Sequence, residues 1–156
     1  VSNNKTYYPK ASDVQENWFL VDAKGETVGR LAARIALILR GKNEPTFHPA
    51  VNPRNHVVVI NAAKAVFTGN KMRTKSYFWH TQYPGGLRST TADKLNQRKP
   101  GEHLREAIHG MLPKNRLGDA LKKNIRIYGG EEHPHEAQAP VTVTITKQRN
   151  SAQGGN

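Results

Sequence analysis

The stretch from Trp18 to Asn61 leaves the chain few folds to choose from. "WFLVDA" (18–23) is a short apolar run closed by the turn signal "KGE", which reads as a buried strand. From Thr27, placed as an N-cap, "VGRLAARIALILR" (28–40) spaces Val28, Leu31, Ala32, Ile35, Ile38 and Leu39 along one helical face. Arg30 and Arg34 fall on another face, and Gly41 suits the helix end. "HVVVIN" (56–61) is β-branched and apolar enough for a central strand. Strand, helix and strand of these lengths make a βαβ unit, so the strands should be parallel with a right-handed crossover. Leu31, Ile35, Ile38 and Leu39 should then be buried against Val57 to Ile60.

The remaining segments are shorter. "AVF" (65–67) and "SYFWHT" (76–81) read as strands flanking a basic Gly-Asn turn. "TADKLNQ" (91–97) and "GEHLREAIHGML" (101–112) are helical and split by Pro100; "LGDALKK" (117–123) is a third helix leading into the strand "IRIYG" (125–129). Pro113 bars a continuation of the preceding helix, so Lys114, Asn115 and Arg116 should lie on a turn. The tail "VTVTITKQRNSAQGGN" alternates like an edge strand, then turns polar, and its end is expected to be disordered without a partner.

Charge is what bears most on function. The 156 residues carry 24 Lys+Arg against 12 Asp+Glu, a formal +12 that opposes compaction and calls for a polyanionic partner. Nucleic acid is the first candidate and an anionic membrane surface the second. No acidic residue lies between Glu44 and Asp93, whereas Arg54, Lys64, Lys71, Arg73, Lys75 and Arg88 do. A second basic stretch holds Lys114, Arg116, Lys122, Lys123 and Arg126, opposed only by Asp119. A solvated face would intersperse carboxylates among such cations. In "VFTGNKMRTKSYFWHT" (66–81) the cations run directly into rings, which can stack on unpaired bases or anchor the turn to the core. Strand alternation separates Tyr77 and Trp79 from Phe78 and His80. The expectation is that Phe78 points inward and that Tyr77 and His80 lie near the ligand.

Catalytic and metal chemistry find little support. The absence of cysteine excludes a disulfide framework, a thiol nucleophile and Cys-based zinc sites. "HPH" (133–135) is surrounded by Glu131, Glu132 and Glu136, but Pro134 should send the two imidazoles apart and no third strong ligand has a standard spacing. "TGNK" (68–71) lacks the spacing of a phosphate loop, and "GETVGR" (25–30) lacks that of a dinucleotide fold. No G-x-S-x-G motif and no convincing carboxylate pair occur. The chain has no apolar run for a membrane span and no signal-type leader, so the cytoplasm is the expected location. Cofactors, metals and small-molecule substrates are not expected.

Six segments carry a family resemblance: "VDAKGETVGRLA" (21–32), "LRGK" (39–42), "NAAKAVFTGNK" (61–71), "KSYFWHTQYPGG" (75–86), "GMLPKNRLG" (110–118) and "YGGEEHPHEAQAP" (128–140). In order and spacing they resemble the bacterial large-subunit ribosomal protein L-thirteen family. The resemblance implies a three-layer α/β/α domain over 18–140 with a small, mostly parallel sheet and basic loops; the extended tails at 1–17 and 141–156 lie outside the matching span, and the family says little of them. It implies no catalysis. It also implies binding to large-subunit ribosomal RNA beside neighbouring ribosomal proteins, with a part in early subunit assembly. Carried over by position, the RNA-facing stretches are Lys71, Arg73 and Lys75 with Tyr77 and His80, and Lys114 with Arg116. His109 stands where a basic residue is common, which would make a phosphate contact there pH-dependent. The rival readings are a metal-dependent enzyme acting on RNA and a DNA-binding architectural protein.

Overall fold

The computed structural model describes residues 8–10 and 12–144. β1 (Asn17–Asp22) feeds α1 (Val28–Leu39), which returns the chain to β2 (Asn55–Ile60). The strands pair in parallel, with Asn17 opposite Asn55 and Asp22 opposite Ile60. Leu31, Ile35 and Leu39 are completely buried, and Ile38 nearly so, in one cluster with Val21, Val57 and Val59. The expected βαβ unit and its core face are therefore present.

Backbone chemistry fixes both ends of α1. Gly41 takes φ +68°; its N–H donates to Ile38 O and the Lys42 N–H to Leu37 O. These paired bonds close a helix on a left-handed residue. At the other end Thr27 holds the N-cap position, but its hydroxyl makes no capping bond. The Val28 N–H donates instead to Val66 O, and the Val66 N–H to Glu26 O. The expected "AVF" strand is thereby reduced to one parallel bridge between Thr27 and Val66.

After β2 a 3-10 turn (Ala62–Lys64) leads to α2 (Lys71–Thr74), then to β3 (Ser76–His80) and β4 (Leu87–Thr91), an antiparallel hairpin separate from the main sheet. The basic turn expected at 68–75 is thus partly a one-turn helix, and β4 was not foreseen because "LRSTT" is too polar to look like a strand. α3 (Ala92–Arg98), α4 (Glu102–Met111) and α5 (Arg116–Lys123) follow within about a residue of expectation. β5 (Ile125–Ile127) and β6 (Val141–Thr142) complete a four-stranded parallel sheet in the order β5, β2, β1, β6.

That order arranges the layers. Leu104 and Ile108 of α4 and Leu121 of α5 join α1 in the core cluster on one face. The return from β5 to β6 passes the opposite face as a turn-rich segment. There the His135 ring lies 5.5 Å from Trp18 and 5.8 Å from Tyr128, and Trp18 stacks on His56 at 4.4 Å. The α/β class is as the sequence implied. β6 is the edge strand expected from the tail, and the stretch expected to be disordered, 145–156, lies outside the described residues.

His103 is completely buried beside Phe67, with neither ring nitrogen bonded among the described residues. Burial holds its pKa below the ordinary 6.5, so the folded chain takes up this proton at lower pH than the unfolded chain does. The contribution to stability is then complete above about pH 6.5 and falls as the pH drops below it. Urea midpoints should be lower at acid pH than at neutral pH, and His103→Leu should shrink that difference. His56 and His109 are shifted in the same direction by burial and should leave a residual drop.

Candidate nucleic-acid interface

The C-terminal ends of β1 and β2 deliver two loops to one side of the molecule. One loop opens α1; the other, pinned by the Val66 bridge, carries α2 across it. Between them lies a groove of about 770 Å³ whose walls include Arg30, Lys71, Lys75, Tyr77, Glu106 and Met111. α1 has no acidic residue in its first turn. Its N-terminus lines the groove with no carboxylate of its own first turn against the positive dipole end, Glu106 being the acidic residue of the groove wall. The Thr27 hydroxyl is buried in the same wall, without a partner among the described residues.

Local bonds hold the basic segment. The Arg73 and Thr74 N–H groups both donate to Asn70 O, and the Thr74 hydroxyl adds a third bond to it at 3.1 Å. The Ala92 N–H donates to Lys75 O and joins the segment to the start of α3. The Lys75 ammonium lies 5.3 Å from the centre of the Tyr77 ring, a cation–π arrangement. Tyr77 is half-buried, and its hydroxyl is held above the usual phenol range by burial and then by the Glu106 carboxylate. Lys71 and Arg73, two apart on a helical turn, point to different sides, and only Lys71 of the two lines the groove.

Phe78 corrects an expectation. It is 66% exposed, whereas Tyr77 is the half-buried ring of β3. The alternation is as read, but its polarity is reversed. The hairpin stands beside the core, and Tyr77 and Trp79 border a hollow with α3 residues Leu95 and Arg98. The other face carries His80 and the exposed Phe78, which also touches the rim of that hollow. The His80 Nδ1 accepts from the Gln82 N–H at 3.0 Å, so a neutral ring carries its proton on Nε2.

The other candidate residues are spread out. Lys64 is exposed on the 3-10 turn beyond the end of β2, while Arg54 precedes β2 with φ +54°. The length of β2, roughly 20 Å, thus separates Arg54 from the groove side. Arg88 stands opposite Trp79 on the hairpin. Lys114 and Arg116 are exposed at the start of α5, where the Asn115 side chain caps the helix by accepting from the Gly118 N–H at 2.8 Å. One amide that a phosphate could have used there is consequently taken. Lys122 is 2.8 Å from Asp119, which holds that carboxyl below its usual range, and Lys123 is exposed at the helix end. Among the described residues Arg54, Lys64, Lys71, Arg73, Lys75, Arg88, Lys114, Arg116 and Lys123 form no ion pair.

Sequence reasoning missed two features. Periodicity places Arg30 only on a helix face, although the first turn of α1 brings it to the groove. Lys122 shares a hollow of about 390 Å³ with Arg105, His109 and Arg126, drawn from α4, α5 and β5. His109 is held below the ordinary imidazole range mainly by burial, with Lys122 and Arg105 adding to the effect. On the opposite face the imidazoles of "HPH" are near-parallel at 6.5 Å rather than splayed, because the His133 Nδ1 accepts from the His135 N–H. His135 Nε2 is hydrogen-bonded to the Tyr128 hydroxyl at 2.9 Å.

The family described as Ribosomal protein L13 matches residues 16–134, the span that holds the groove, the hairpin and the hollow of Arg105, Lys122 and Arg126. The chain belongs to the ribosomal protein L13 family. Large ribosomal subunit protein uL13 of Bordetella petrii is 50% identical over 141 residues, covering 90% of this chain and 99% of the relative. That of Bacillus cytotoxicus is 50% identical over 135 residues, covering 86% and 93%. That of Bordetella pertussis is 49% identical over 136, covering 87% and 96%. L13 is a family of ribosomal proteins, not of enzymes.

Gly118 is required by the cap in this L13 chain. A β-carbon there would stand 1.7 Å from Pro113 O. Asn115→Ala should cost about 0.5–2 kcal/mol, the usual loss of an N-cap, and Gly118→Ala should be worse because the backbone itself must move. Equilibrium unfolding of both variants checks the ranking.

Proposed function

We propose that the chain is a structural constituent of the large subunit of cytoplasmic ribosomes, binding large-subunit ribosomal RNA and supporting early subunit assembly beside neighbouring ribosomal proteins. The observation that carries this reading is a run of cations with no counter-anion of its own. Across residues 45–92 there is no acidic residue, and Lys71, Arg73 and Lys75 are exposed and form no ion pair among the described residues. Phosphates supply the missing charge and release counterions in doing so. Arg30, Lys71 and Lys75, with the Gly29 and Arg30 amides left after the Val28 N–H bonds to Val66 O, hold a backbone phosphate on the side of the groove away from Glu106. Arg73, on the other side of the α2 turn, with Lys64 and Arg88 extends the contact beyond the groove, Tyr77 bordering the groove and His80 standing on the outer face of the hairpin.

Lys114 and Arg116 form a second contact at the head of α5, where the Arg116 guanidinium gives a planar two-point grip that a lysine cannot. Lys122, beside Arg105 and Arg126, and Lys123 continue it at the helix end. Arg54 contacts RNA at the other end of the sheet. The metal-enzyme reading loses support from the "HPH" segment, whose ring nitrogens His133 Nδ1 and His135 Nε2 are engaged by the protein's own groups. No helix among those described carries the pattern of a DNA recognition helix.

Affinity for large-subunit ribosomal RNA should fall steeply with salt. Replacing Lys71, Arg73 and Lys75 together by glutamine should flatten the log–log slope by roughly 0.7 to 0.9 for each phosphate left without its cation. The fold should survive, since all three side chains are exposed. Filter binding across a salt series reads the slope, and an unchanged slope would refute the assignment.

A further inference from the structure

The hairpin of β3 and β4 exposes more apolar surface than its own packing explains. Phe78 is 66% exposed, Leu87 64%, Tyr83 75% and Trp79 47%. Four large apolar side chains within ten residues is a concentration that marks a contact surface rather than ordinary scatter. The register divides them: His80 is paired with Leu87 and Phe78 with Ser89, so Phe78, His80 and Leu87 share the outer face, while Trp79, opposite Arg88, lies on the inner one.

The tip that carries Tyr83 is rigidly built. The Gly86 N–H donates to Tyr83 O at 2.8 Å across Pro84 and Gly85, and Gly85 takes φ +68°, which is the geometry of a type II turn. The Thr81 N–H and hydroxyl both donate to Gly86 O. A β-carbon on Gly86 would lie 2.2 Å from the Thr81 hydroxyl oxygen, so only glycine fits. The rings are consequently presented without a large ordering cost on binding.

Charge selects the occupant. An apolar surface that meets another protein is normally rimmed by polar groups of both signs, but this hairpin holds no carboxylate of its own; Lys71, Arg73 and Lys75 lie at its root, Arg88 stands beside Trp79 on its inner face, and the carboxylates Glu102 and Glu106 lie in the hollow on that inner side. Rings framed by cations are the combination that receives nucleobases, the rings stacking on the base and the cations following its phosphates. We propose that the outer face of the hairpin is a stacking platform for unpaired RNA bases, with Phe78 as its central ring, Tyr83 as the ring at its tip and the His80 Nε2–H as a donor between them. This rests on the RNA-binding reading above and adds to it: the groove grips backbone, whereas the hairpin seeks bases that are not in a helix.

Single-stranded RNA about ten nucleotides long and a duplex of the same length separate the two. At moderate salt the full-length protein should bind both. Phe78→Leu keeps apolar bulk at an exposed position but removes the ring. It should weaken single-strand binding by about tenfold, as expected for the removal of one base–aromatic stack, and leave duplex binding unchanged, while Phe78→Trp should retain single-strand affinity. Unchanged single-strand binding by Phe78→Leu, or an equal loss on both RNAs, would overturn the platform while leaving the groove intact. Failure of the wild-type protein to bind either RNA would instead overturn the RNA-binding reading beneath it. Urea midpoints of the variants should match the wild type, since the side chain is exposed.

Discussion

The parallel pairing of β1 with β2, covered by α1, is the constraint on which the rest of the structure depends. It buries the side chains that define the core, and it directs both strand ends toward one side of the molecule. Its near end is held by one amide. The Asn55 Nδ2 donates to Ile38 O and to a Glu44 carboxylate oxygen, each at 2.9 Å, and its Oδ1 accepts from Asn17. α1, the loop after it and the first residues of both strands therefore meet at a single buried side chain. At the far end the strands release the loops that carry Arg30 and Lys71. A shift of register by one residue would move the core valines to the wrong face and the basic groove with them.

The sheet also explains how a strongly basic chain folds without neutralising itself. The cations are placed beyond strand ends, on short helical turns and on a hairpin that stands beside the core, where water screens them in the free protein. Among the described residues few lysines and arginines are tied to carboxylates, and the pairs found there, Lys122 with Asp119 and Arg105 with Glu102, lie within single helices. The self-repulsion that remains is relieved by a polyanion. On the RNA-binding reading proposed above, stability and RNA affinity are coupled through the same charges.

What could be read in the sequence was the part governed by periodicity. The apolar spacing from Val28 to Leu39 and the run Val57–Val59 specify a helix on a parallel sheet with little ambiguity. Alternation in β3 showed which rings share a face, but not which face is inward, because that depends on where the hairpin sits relative to α3 and α4. Phe78 was therefore assigned to the wrong side. β4 was illegible because Arg88, Ser89, Thr90 and Thr91 carry no apolar alternation and pair only because β3 lies beside them. Arg30 was visible as a residue but not as a member of the groove, since its neighbours Lys71 and Lys75 come from a loop some forty positions away. Thr27 marks the start of α1 correctly, although its buried hydroxyl makes no capping bond.

The central claim is that the side of the molecule at the strand C-terminal ends, with the hairpin, meets RNA, and that the face covered by Trp18, His56 and His135 does not. Hydrogen–deuterium exchange of the protein, free and bound to large-subunit ribosomal RNA, tests this most directly. The account predicts that exchange slows on binding over residues 27–30, 68–75 and 76–91, with little change over 131–140. Protection concentrated over 131–140, with the groove and hairpin unchanged, would contradict it.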